Sequence, residues 1–144
     1  MGALVSHTIW CQNGWFPFHF GFCPSEAAWK KTLKGMTGRV GEPYPETPGN
    51  CMTLSKEHDV LSCIVTVHES QDEFPSHVAS ILTHEGVHVW QALKDSIQET
   101  EKPGVEFEAY TVQHIVNELI KAYEKTRGPL FVKPAKNPVA SQSS

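Results

Sequence analysis

The apolar residues of this chain fall into two kinds of run. In the first half they form short β-branched and aromatic stretches. In the second half they line two long segments with helical period. Leu4 to Trp10 and Trp15 to Phe22 flank Asn13-Gly14, a dipeptide that accepts the positive φ angles of a tight turn, and this predicts a hairpin. Its aromatic residues, Trp10, Trp15, Phe16, Phe18, Phe20 and Phe22, read as a packed sheet face rather than a ligand cage. Pro24-Ser25-Glu26 opens a short helix to about Lys34. Pro43, Pro45 and Pro48 then forbid a regular helix and predict a loop. Cys51 to Leu54 and Val60 to Val67 read as two further strands; the second is almost wholly apolar, which fits a strand covered on both faces.

After Pro75-Ser76 the pattern predicts a helix to about Ser96, and after Pro103-Gly104 another from about Val105 to Arg127. Residues 128–144, with Pro129, Pro134 and Pro138, read as a tail without its own core. The expected class is α+β: a small, antiparallel-rich sheet of about four strands packed on two long helices, as one domain over residues 1–127. A length of 144 residues suits one domain and is short for two.

Charge narrows the function classes. Twelve basic against sixteen acidic side chains leave a formal charge of -4, and no basic block is present to neutralise a run of phosphates, so nucleic acid is not an expected partner. No apolar stretch approaches the roughly 20 residues of a membrane span. The N-terminus lacks the charged-then-apolar order of a signal peptide, which places the chain in the cytoplasm by expectation. Cys11, Cys23, Cys51 and Cys63 form no C-x-x-C pair and are read as small buried residues. A four-cysteine zinc site would require the fold to gather them, and export by another route would allow two disulfides.

The chemistry centres on His84-Glu85-Gly86-Val87-His88, in the middle of the apolar helix Val78 to Leu93. Histidines four apart share one helical face, close enough for both imidazoles to meet one metal ion. Glu85 lies about 100° around the helix from His84, where it can hold a metal-bound water as general base. A shuffled chain of this composition would contain H-E-x-x-H roughly 4% of the time, so the surroundings have to add weight. They do, because polar groups on so apolar a helix need partners and a metal supplies one to both imidazoles. Zinc in a catalytic site takes three protein ligands and leaves the fourth position to water. The third-histidine pattern H-E-x-x-H-x-x-G-x-x-H fails, since Gln91 and Lys94 stand at its glycine and histidine positions.

A glutamate on the next helix is the other common solution, and that helix begins with Glu106 and Glu108. Residues two apart diverge by about 200°, so only one of them can face the site. Glu108 adjoins the apolar stripe of Val105, Ala109, Val112, Val116, Leu119 and Tyr123 and is preferred; Glu106 is then exposed or behind the ligands. Tyr110, His114 and Tyr123 are candidate oxyanion stabilisers by residue type alone, each more often structural, as is His68, and His77 reads as exposed near the start of its helix.

H-E-G-V-H followed twenty residues later by E-A-Y resembles gluzincin-type minimal metallopeptidases in the manner of the ImmA/IrrE-type proteins, over about Val60 to Tyr123. The resemblance implies a zincin-like fold, one zinc ion held by His84, His88 and Glu108, Glu85 as base, and a peptide or protein substrate. Tyr110 and Val112 depart from that family's asparagine and phenylalanine, so its substrate and partners do not transfer. The wider string is also similar to small zincin-like proteins encoded among tailed-phage and prophage structural genes, which implies phage structural proteins as partners and a host-cytoplasm or virion location. Three functions stay open: a zinc metallopeptidase, a non-catalytic zinc-stabilised phage virion or assembly protein, and a peptide-binding module.

Overall fold

The computed structural model describes residues 5–12, 14, 19–36, 40–55, 61–97 and 104–131. Its elements are strands β1 (Ile9–Trp10) and β2 (His19–Phe22), helix α1 (Glu26–Leu33), strands β3 (Gly49–Ser55) and β4 (Leu61–Val67), a 3-10 turn (Glu69–Gln71), and helices α2 (Pro75–Ser96) and α3 (Val105–Arg127). The class is α+β, with a four-stranded mixed sheet in the order β1-β2-β4-β3. β1 runs antiparallel to β2, and β3 antiparallel to β4 from Gly49↔Val67 to Ser55↔Leu61. β2 and β4 run parallel, from His19↔Ser62 to Phe22↔Val65. Parallel neighbours need a long crossover, and α1 with the proline-rich loop and β3 supplies it.

The central place of β4 explains its composition. Alternate residues point to opposite faces, and both faces are covered. Cys63, Val65 and Val67, with Phe20 and Phe22 of β2, pack against α2 and α3. Ile64, with Leu54 of β3, packs against Ala28, Trp29 and Leu33 of α1. The hairpin expectation is met in its strand pairing, while Asn13 and Trp15 to Phe18 lie outside the described residues.

Local signals set the helix ends. Ser25 caps α1: its Oγ accepts from the Ala28 N–H at 3.1 Å and donates to the Val5 carbonyl at 2.6 Å. Pro75 opens α2, where its missing N–H does no harm. Glu106 and Glu108 lie in the first turn of α3 and Lys125 and Arg127 in its last, matching the helix dipole at both ends. Both long helices span the residues expected from the sequence. The segment after α3 does not begin as a free tail: Leu130 is buried in the core with α2 and α3, and its N–H donates to Glu124 Oε2. Residues 132–144 lie outside the described residues.

α3 packs on α2 over a glycine. A Cβ added to Gly86 would stand 2.9 Å from Val116 Cγ2 and 3.5 Å from Ile115 Cγ2, so only glycine allows the helices to approach this closely. At the other end of α3, Arg127 ties the layers together. Its side chain is 1% exposed; it donates to Asp72 Oδ1 at 3.1 Å and to the Pro24 carbonyl at 3.0 Å, and lies over the Phe22 ring. Tyr123 donates to the same Asp72 oxygen at 2.7 Å.

The four cysteines are free thiols and are not gathered into one site. Burial pushes the Cys11 thiol up to about 12 and Cys23 up to about 11. Cys51 and Cys63 share a hydrogen bond that raises Cys51 and lowers Cys63. Among the described residues no helix is long and apolar enough to cross a membrane.

Arg127→Ala removes the buried partner of Asp72, whose side chain stays 34% exposed and can be hydrated. The expected loss in urea denaturation is about 2–3 kcal/mol, below the full value for a wholly buried pair. A loss under about 0.5 kcal/mol would mean that the cluster does not hold the layers together.

Candidate metal centre

His84, Glu85 and His88 bring ligand atoms to within 4.8 Å of one another, a group that could hold a metal ion. The helix dictates the arrangement. His84 and His88 are one turn apart on the exposed side of α2, with ring centroids 4.9 Å apart and planes at 80°. Glu85, turned toward the sheet, is 6% exposed. Burial raises its pKa, and the two neighbouring imidazoles oppose that rise.

Glu85 rests on the first residue of β3. A Cβ at Gly49 would collide with Ile81 Cγ2 and stand 2.9 Å from Glu85 Oε1, so the missing side chain makes the space that the carboxylate occupies. No local pattern marks this contact: alternation starts the strand at Cys51, whereas β3 begins at Gly49. Gly49 is the functional neighbour that sequence reasoning missed. A glycine at the start of a strand, which can mark close approach of another group, is the signal that would have found it.

The His88 imidazole is oriented to bind through its outer nitrogen. His88 Nδ1 lies 2.8 Å from Gln91 Oε1; an amide oxygen can only accept, so Nδ1 donates and Nε2 keeps its lone pair. Two imidazoles with a flanking carboxylate are a donor set that suits divalent zinc, so the residues present fit the ion that the motif implies.

Glu108 and Glu106 lie on different sides of α3, whose buried side runs through Thr111, Ile115 and Leu119, while Val105 and Ala109 of the expected stripe are exposed. Glu108 is seven residues before buried Ile115, two turns up the side that faces α2, and is half-buried; Glu106 is exposed on the other side. Glu108 is not brought into the His84, Glu85, His88 group. Its Oε1 instead accepts from the Trp90 indole N–H at 3.1 Å. The candidate oxyanion stabilisers are placed otherwise. Tyr123 is committed to Asp72, His114 Nε2 lies 2.9 Å from the Gln12 carbonyl, and Tyr110 is 67% exposed on the first half of α3. His77 is exposed, and His68 caps the 3-10 turn, its Nδ1 accepting from the Ser70 N–H.

β4 is hydrogen-bonded on both sides and has no edge to offer an extended ligand; the strand beside Glu85 with a free edge in the described sheet is β3. Comparison with protein-family models, curated proteins and solved structures finds no match.

Gly49→Ala places a methyl group against Ile81 and the Glu85 carboxylate. The expected cost in urea denaturation is about 1–3 kcal/mol, as for overpacking of a filled site. Gly104→Ala, whose Cβ would meet nothing within 4 Å, serves as the control. Equal stability of Gly49→Ala and the unaltered chain would show that Glu85 does not pack on the strand.

Proposed function

We propose that the chain is a zinc-dependent peptide-bond hydrolase, with His84, His88 and Glu108 holding one zinc ion and Glu85 as general base. The reading is carried by the convergence of His84, Glu85 and His88 within 4.8 Å of one another. It is supported by the position of Glu108 on the α2-facing side of α3. Bound zinc supplies a Lewis acid for a carbonyl oxygen and lowers the pKa of a coordinated water from 15.7 toward about 7.

The chain's own residues supply the rest. Glu85 takes a proton from the attacking water, whose remaining hydroxyl adds to the carbonyl carbon. The same carboxyl returns that proton to the amine nitrogen as the C–N bond breaks. Burial strengthens Glu85 as a base by disfavouring its ionised form. The free edge of β3, which begins beside Glu85, can pair with an extended peptide and present its carbonyl to the group.

The rival reading, a zinc-stabilised phage virion or assembly protein without turnover, calls for a closed shell of four protein ligands. Among the described residues the group contains three candidates, and the third is the buried carboxylate expected of a base.

Glu85→Gln separates the two readings. The variant is expected to keep its zinc and to lose cleavage of peptides from a whole-proteome lysate by roughly 10²–10⁴-fold, the usual contribution of a general base. Cleavage at the unaltered rate would rule out Glu85 as the base, and no cleavage by the unaltered chain would favour the assembly reading.

A further inference from the structure

We infer that Trp90 is a positioning residue for Glu108, orienting that carboxylate as a metal ligand, and that the adjoining Gln91 does the same for His88. The inference rests on the metal-binding reading above and adds to it the groups that aim the ligands.

Trp90 lies two residues past His88, which turns it about 200° around α2, away from the exposed histidines and toward α3. Its ring is 1% exposed and meets Phe107 edge-on, with centroids 6.2 Å apart. An indole N–H is a donor with no acceptor capacity, and a buried one needs a partner. The partner is Glu108 Oε1 at 3.1 Å. A carboxylate has two oxygens, so this bond fixes the rotation of the group and leaves Oε2 available to a cation.

Gln91 repeats the device on the other side of α2: its Oε1 accepts from His88 Nδ1 at 2.8 Å, which fixes the ring and leaves Nε2 as the ligating nitrogen. Ligands held by a hydrogen bond on their far side are the usual construction of metal sites. Two consecutive residues, immediately after the H-E-x-x-H segment and Val89, thus contact two of the three proposed ligands.

The bond holds the Glu108 carboxylate on the side of α3 that faces α2, outside the histidine group; were zinc bound, Oε2 would be the oxygen left to hold it.

The test compares zinc affinity of the unaltered chain, Trp90→Phe and Gln91→Ala by competition with a chromophoric chelator, and the visible absorption of each with cobalt(II) in place of zinc. Trp90→Phe is expected to bind zinc about 10–100-fold more weakly and to shift the cobalt bands, which report the ligand shell and are not moved by a loss of packing elsewhere. Gln91→Ala is expected to weaken binding in the same direction. Equal affinity and identical cobalt spectra for Trp90→Phe and the unaltered chain would overturn the inference and leave the metal reading standing; an unaltered chain that binds no zinc would overturn both.

Should Trp90→Phe not fold, zinc is titrated into the unaltered chain while the Trp90 indole N–H resonance is followed. A shift complete at one equivalent supports the inference, and a resonance that does not move refutes it.

Discussion

The approach of α3 to α2 over Gly86 is the constraint on which the site depends. With no side chain at this position, Val116 and Ile115 settle against the backbone of α2 between the two histidines. That contact fixes the rotation of α3 about its own axis, because Ile115, Leu119 and Glu108 share one side of the helix. The glycine within H-E-G-V-H therefore has a structural role separate from the chemistry of its neighbours: His84 and His88 face outward from α2, Glu85 faces the sheet, and Gly86 receives the partner helix. In the proposed reading, three directions around one helical turn would serve metal binding, proton transfer and packing.

A second constraint is the burial of a carboxylate with no side chain opposite it. Glu85 occupies room left by Gly49, and burial raises its pKa against the opposing pull of the two imidazoles. Such a group is costly to bury without a compensating charge, and a divalent cation between the flanking imidazoles would supply one. The two adjoining polar contacts, Trp90 to Glu108 and Gln91 to His88, belong to the same economy of directed groups. Each satisfies one atom of a candidate ligand and leaves another free.

Much of this was legible in the sequence. The ranges of α2 and α3 and the covered place of β4 follow from periodicity, because burial on one side of a helix or both faces of a strand leaves a local imprint. The expected stripe of α3 was less exact, since Val105 and Ala109 are exposed and the buried side runs through Thr111, Ile115 and Leu119. The contacts that span long stretches of chain left none. Arg127 meeting Asp72 and Pro24, Leu130 returning to the core, and Gly49 meeting Glu85 each join segments whose relative placement is set only when the sheet closes. Trp90 was expected only as an apolar member of α2, since nothing in its spacing distinguishes an indole that fills the core from one that also holds a carboxylate.

The metal is the central claim, and its stoichiometry is the most direct measure of it. Protein equilibrated with zinc and freed of excess ion should hold about one zinc ion per chain, and His88→Ala, which removes one imidazole and leaves the fold in place, should retain well under half of that. A chain that emerges from the same treatment without zinc, or a His88→Ala variant that holds as much as the unaltered protein, would contradict the account.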